Sequence, residues 1–405
     1  VAVKMAEGYL QTETDGGRAY IRAGRSARLR GVGAVIFDCD GVLIDIRESC
    51  NRAIPETVAY ILRELTGAEP PANLVSREVV YLFKRGGGFN NDWDLAYAVL
   101  SAILCWLPDD FQRLLMKHVA ASQSENDFRR FLSVKEGIRR ELDPGRLELA
   151  MSGLGGPLRR LAEASDVSGF ASVERRLMDL SGAPARLREF STAVKRLLAY
   201  PGGVGESLLT AVFEEIFCGS RLFEEVYRRE SRLNLRRGLI EDERVILRPG
   251  TLDRLASALG GANFGIASGR YSAVAGHTLG GLLGRFSPEA RVFLDEIEAA
   301  EREARRGRGG PVSLKKPNPF SLLESSKGLR PFGSALYVGD SMEDALVVGE
   351  ANRVDPRFLF AGVYGHSDRG EDVLRDFLGA GAEIVLPSVN ELPALLWSVR
   401  GSEEA

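Results

Sequence analysis

In AVIFDCDGVLID, residues 34–45, four apolar positions run uninterrupted into two aspartates two residues apart. The same texture returns beyond residue 238, in NFGIAS (263–268), RVFLDE (291–296), ALYVGD (335–340), FLFAGVY (358–364) and EIVLP (383–387). Short continuous apolar runs predict strands buried on both faces. Helical stretches between them predict right-handed crossovers, hence a doubly wound, Rossmann-like parallel sheet of α/β class. In that architecture ligands bind beyond the carboxyl ends of the strands, so the residues just after each run deserve inspection.

The middle of the chain has a different rhythm. In ESCNRAIPETVAYILRELTG, Cys50, Ala53, Ile54, Val58, Ile61, Leu62 and Leu65 recur at three- and four-residue steps and stop at Gly67, which predicts a helix with a glycine end. From Leu95 to about Gly238 the spacing stays helical, broken at Pro108, Pro144, Gly153 to Gly156 and Pro201 to Gly203, with no clear strand. Residues 1–30 read as an appendage. Its segment YLQTETDGGRAYIR alternates around Asp15, Gly16 and Gly17, which fits a hairpin, while an Arg-rich tail is the competing reading. The expected organisation is an N-terminal extension (1–30), an α/β core (31–48 and 238–398), an inserted all-α domain (49–237) and a tail (399–405).

Composition adds exclusions. A length of 405 residues suggests more than one core, or one core with a large insertion. With 53 basic and 56 acidic side chains the net charge is −3, which offers no field for nucleic acid or an anionic membrane. Cys39, Cys50, Cys105 and Cys218 are scattered, without metal-ligand spacing, which fits a reducing, cytoplasmic setting. The first 30 residues contain no apolar run of signal-peptide length, and no later stretch reaches 18 uncharged apolar residues. The oligomeric state is not legible.

Chemistry gathers at the strand ends. In chain order these carry Asp38 and Asp40, then Ser268, then Asp340 with Asp344 four residues on, and Lys316 lies in KKPNP before the last of them. A DxDG segment can open a calcium loop, but the loop's fifth and twelfth positions would be Val42 and Ser49, which are poor ligands. A solvated turn explains one DxDG, not the whole series. Packed carboxylates repel one another unless a cation holds them. Oxygen-only donors suit Mg²⁺ better than Zn²⁺, and Mg²⁺ commonly shares its shell with a phosphate. Lys316 as a point charge, the Ser268 hydroxyl and backbone N–H groups around Gly269 are groups a phosphate needs.

Together FDCDGVLID, IASGR, KPNP and GDSMED resemble the four signature segments of the haloacid dehalogenase-like hydrolases, mostly phosphatases, over residues 31–66 and 238–398. The resemblance implies Asp38 as nucleophile, Asp40 as general acid/base, Lys316 as charge stabiliser, Ser268 and Gly269 at the phosphate, and Mg²⁺ held by Asp38, Asp40, Asp340 and Asp344. Asp344 could instead orient a metal-bound water. Family dehalogenases lack an aspartate two residues after the nucleophile, so Asp40 favours phosphoryl transfer. The implied reaction is hydrolysis of a small phosphorylated metabolite through an aspartyl phosphate; a phosphomutase, or a non-catalytic binding protein on an inherited fold, are the alternatives.

The insertion sits where this family carries a helical cap, but is larger than such caps. Within it, FKRGGGFNNDWDL (83–95) resembles a segment of phosphoglycolate-phosphatase-like proteins. Lys84, Arg85 and Asn90 are candidates for an anionic part of the substrate; the plainer reading is a helix connection with Trp93 buried and Asn90 or Asp92 as cap. His118, His277 and His366 each stand alone and receive no role. Cys39 reads as core, and Arg270 and Asp295 as either site or surface residues.

Overall fold

The computed structural model describes residues 4–6, 8–89, 91–124, 126–180, 182–308 and 312–401. Along them run strands β1 (Lys4–Ala6), β2 (Tyr9–Thr14), β3 (Gly17–Arg22), β4 (Val32–Phe37), β5 (Ile44–Asp45), β6 (Arg244–Val245), β7 (Phe264–Ala267), β8 (Arg291–Val292), β9 (Ser334–Gly339), β10 (Phe358–Val363) and β11 (Ile384–Leu386). Nine of them form one mixed sheet in the order β1-β2-β3-β11-β10-β9-β4-β7-β8, and β5 pairs with β6 separately. From β11 to β8 every neighbour is parallel. Val35, Ile36, Phe37, Leu336, Tyr337 and Val338 are fully buried, as strands covered on both faces must be. The fold is α/β.

The strand order positions the site. From β4 the chain moves outward through β7 to β8, then returns to the other side of β4 and moves outward again through β9, β10 and β11. The order therefore reverses at β4 and β9, and in open parallel sheets the crevice for a ligand lies beyond the carboxyl ends at such a reversal. Asp38 and Asp340 stand immediately after these two strands.

Two expectations from the sequence need correction. The N-terminal hairpin exists, with β2 and β3 paired from Tyr9↔Arg22 to Thr14↔Gly17, but it is no appendage. Strand β3 extends the sheet antiparallel to β11, Ala19, Tyr20 and Ile21 are buried, and the Tyr9 hydroxyl donates to the Ala382 carbonyl at 2.9 Å. Apolar side chains on the hairpin are what bind it to the sheet. RVFLDE is a strand only at Arg291 and Val292; a helix starts at Leu294. Asp295 and Glu296 fall in its first turn, where carboxylates favour the helix, and Glu296 accepts the Phe293 N–H at 2.8 Å.

The chain divides into two compact units, Val1–Arg47 with Glu243–Ala405, and Glu48–Asp242. The second is helical, beginning with the expected helix Cys50–Thr66, whose C-cap Gly67 is left-handed at φ 72°. Among the described residues no helix is long and apolar enough to cross a membrane.

Candidate functional site

The β4 end is fixed by its neighbour: the Asp38 N–H donates to the Val338 carbonyl at 2.9 Å, continuing the ladder one residue past the strand. The chain then turns through Gly41 at φ 68°, where a Cβ would lie 1.9 Å from Oδ2 of Asp340. Only glycine permits that approach, which lets the carboxylate from the end of β9 come up against the turn after β4.

Asp340 begins the turn into the helix Met342–Asn352, whose N-cap is Ser341. Asp344 completes a capping box there, its Oδ2 accepting from the Ser341 hydroxyl at 2.8 Å and from the Asp340 and Ser341 N–H groups at 3.2 Å each. Its Oδ1 accepts from Lys316 Nζ at 2.7 Å and lies 3.1 Å from the Tyr337 hydroxyl. Lys316 Nζ is also 3.2 Å from Asp38 Oδ1. Burial alone favours the neutral amine, but Asp344 and Asp38 outweigh it and hold the Lys316 ammonium well above the usual lysine range. The Asp38 carboxyl is raised too, which for an acid favours the neutral form. Burial, reinforced by Asp344 and Asp40 and opposed by Lys316, pushes its carboxyl up to about 7.

Asp38, Asp340 and Asp344 each offer an oxygen, and these oxygens lie within 4.8 Å of one another. The three can hold a metal ion. The donors are hard oxygens, and a cation would offset the burial and the carboxylate repulsion that raise the Asp38 carboxyl. Asp344 brings charge to the group while both its oxygens already accept from protein donors.

Asp40, expected among the metal ligands, lies outside this group. Its Oδ1 is 2.7 Å from Arg270 NH2 instead. Arg270 is no solvated surface residue: its side chain is 3% exposed and grips Glu243 through both terminal nitrogens at 2.8 Å. Ser268 follows β7, is buried, and is fixed by its N–H to the Val292 carbonyl at 3.0 Å. Its hydroxyl accepts the Arg270 N–H at 3.3 Å. Gly269 is exposed, with nothing within 4 Å of where a Cβ would stand. The N–H groups expected for a phosphate are partly committed, since Ser272, first residue of the helix Ser272–Leu279, donates to Asp295 Oδ2 at 2.7 Å. Cys39 is core, its thiol pushed up by burial and by the adjacent Asp38 and Asp40.

Lys84 and Arg85 belong to the helical unit, in the last turn of the helix Arg77–Arg85, where cations favour the helix. Lys84 Nζ lies 2.7 Å from Asp92 and 2.9 Å from the Asn51 side-chain oxygen. Asn91, not Asp92, caps the helix Asp92–Trp106, accepting the Asp94 N–H at 2.7 Å, and Trp93 donates to Glu214 at 2.8 Å. Asn90 lies outside the described residues. The glycine run has a packing cause: a Cβ on Gly88 would meet the Asp166 carbonyl at 2.2 Å, and one on Gly169 would meet the Gly88 carbonyl at 2.1 Å.

Three participants escaped the sequence reading: Glu243, Tyr337 and the buried role of Arg270. Tyr337 sits mid-run in β9, where an aromatic residue reads as core. Glu243 sits among charged neighbours in IEDER, where nothing local separates it from a solvated carboxylate.

Neither a protein-family model nor a curated protein matches the sequence. Among solved structures, the X-ray structure of Northeast Structural Genomics Consortium target ZR25 aligns with a TM-score of 0.60 at 21% identity, covering 91% of this chain and 99% of that one. Phosphatase Tt82 from Thermococcus thioreducens aligns with a TM-score of 0.45 at 20% identity, covering 85% of this chain and 99% of its own. The first likeness is one of fold.

Proposed function

We propose that this chain is a Mg²⁺-dependent phosphatase of the haloacid dehalogenase-like type, hydrolysing a small phosphorylated metabolite through an aspartyl phosphate. The observation that carries the proposal is Asp38: a buried carboxylate at the strand-order reversal, 3.2 Å from the Lys316 ammonium and grouped with Asp340 and Asp344.

In this reading an oxygen of Asp38 attacks phosphorus, and the bond from phosphorus to the substrate's ester oxygen breaks. A proton from the Asp40 carboxyl goes to that leaving oxygen. Water then attacks the phosphoryl group, gives a proton back to Asp40, and the bond from phosphorus to Asp38 breaks, restoring the carboxylate. Lys316 holds positive charge beside the phosphoryl oxygens throughout, and Ser268 is a donor to them. Mg²⁺ bound by Asp38, Asp340 and Asp344 supplies further charge neutralisation. The helical unit, inserted after the nucleophile, sets substrate choice.

The test is a screen of purified protein with Mg²⁺ against a panel of phosphate monoesters, reading released phosphate, beside Asp38→Asn. Release from one or a few esters, abolished in the variant, is the expected result. Release that persists in Asp38→Asn would remove the nucleophile, and no release from any ester would remove the phosphatase.

A further inference from the structure

We propose that Arg270 is a positioning residue for Asp40, itself held by Glu243, so that a buried carboxylate–guanidinium–carboxylate chain orients the acid/base. The inference rests on the phosphatase reading, in which Asp40 passes a proton to the leaving oxygen.

The geometry of the chain is specific. Arg270 NH2 lies 2.7 Å from Asp40 Oδ1 and 2.8 Å from Glu243 Oε1, while NH1 lies 2.8 Å from Glu243 Oε2. The Glu243 side chain is 0% exposed, and its Oε2 also accepts from the Thr278 hydroxyl at 2.5 Å. The Arg270 backbone is pinned on both sides, its N–H to Ser268 Oγ at 3.3 Å and its carbonyl to the Leu294 N–H at 2.9 Å. Asp40, at 32% side-chain exposure, is the open end of this chain.

A planar guanidinium gripped through two nitrogens has its plane and its remaining direction set by the carboxylate that grips it. Glu243 and Thr278 therefore determine where Arg270 points, and its charge, in ion-pair contact with Asp40 Oδ1 at 2.7 Å, draws that carboxylate to its place. A structural ion pair would be complete with Glu243 alone, and buried pairs contribute little net stability. The contact with Asp40 is the part that stability does not require. The same arrangement argues against Arg270 as a phosphate ligand, because its single positive charge is already shared between two carboxylates.

Orientation of a proton donor acts on the chemical step, and most where the leaving group needs its proton. The test compares Arg270→Gln, Arg270→Lys, Glu243→Gln and Asp40→Asn on two substrates: the best alkyl phosphate from the panel, and p-nitrophenyl phosphate, whose leaving group departs without protonation. Arg270→Gln should lower kcat on the alkyl ester by about 100-fold, with KM within about threefold, while p-nitrophenyl phosphate loses less than about fivefold. Asp40→Asn should show the same selectivity, and the double variant should be no slower than Asp40→Asn alone. Arg270→Lys, which keeps the charge but not the fork, should fall between wild type and Arg270→Gln. The inhibition constant of inorganic phosphate should stay within about twofold in each Arg270 variant.

Equal losses on both esters, additive effects with Asp40→Asn, or weakened inhibition by inorganic phosphate would each overturn the inference. Glu243→Gln leaves Arg270 in place and reports the same selectivity if Arg270→Gln fails to fold. Asp38→Asn in the same assay separates the two readings: its loss of all release belongs to the phosphatase, and the leaving-group selectivity belongs to Arg270.

Discussion

Lys316 Nζ lies closer to Asp344, at 2.7 Å, than to Asp38, at 3.2 Å, and all three side chains are buried. The residue nearest the ammonium is thus the one fixed in a capping box, and Asp38 is the looser partner. Asp344→Asn keeps the shape but strips Lys316 of its nearer countercharge in a place where a lone ammonium is costly. It should destabilise the protein by about 3–5 kcal/mol in urea unfolding. A change below about 1 kcal/mol would show that Asp38 alone suffices to hold the lysine.

Gly41 makes room for Asp340. A methyl group there would overlap the Asp340 carboxylate and would also strain a backbone at φ 68°. Gly41→Ala is expected to displace Asp340 from Asp38 and Asp344, weakening Mg²⁺ binding by at least about tenfold in calorimetric titration, which corresponds to about 1.4 kcal/mol. Unchanged affinity would mean that Asp340 is not needed in the carboxylate group.

The raised Asp38 carboxyl ties stability to pH. Burial pushes it up to about 7, so it binds its proton more tightly folded than unfolded. Its contribution to stability is complete below the ordinary carboxylate value and is lost as pH rises through about 7. Without metal, the wild type should therefore lose stability relative to Asp38→Asn between about pH 5 and about pH 8. Mg²⁺ binds the ionised form and has no proton to displace at the higher pH, so its increment in Tm should be larger at about pH 8 than at about pH 5. Equal increments at both would break the link between Asp38 and the ion.

In the helical unit, Gly88 and Gly169 meet backbone to backbone. Gly88→Ala should destabilise the protein by about 2–3 kcal/mol, because the Asp166 carbonyl and the Gly169 N–H cannot retreat as a flexible side chain could. Gly203→Ala in the same unit, with nothing within 4 Å of its Cβ position, should stay within about 0.5 kcal/mol. Similar losses in both, read by urea unfolding, would leave the glycine run without this packing explanation.

By itself the sequence determined which segments are strands and which are helices over most of the chain, and so which residues stand at the strand ends. Apolar runs and three- and four-residue spacing are local, and they are set by the geometry of a strand or a helix turn. That is why the strand ends at Asp38, Ser268 and Asp340 are legible in the sequence. Tertiary structure alone decided what each charge does. The Asp40 side chain paired with Arg270, Glu243 became a buried anchor, Asp344 became a brace for Lys316, and the N-terminal hairpin joined the sheet through β3 and β11. A carboxylate has the same letter whether water or a guanidinium surrounds it, and partners far apart along the chain leave no periodic mark. Only the packing of strand on strand sets the distances that separate a carboxylate paired with a guanidinium, one grouped with other carboxylates and one held as a buried anchor.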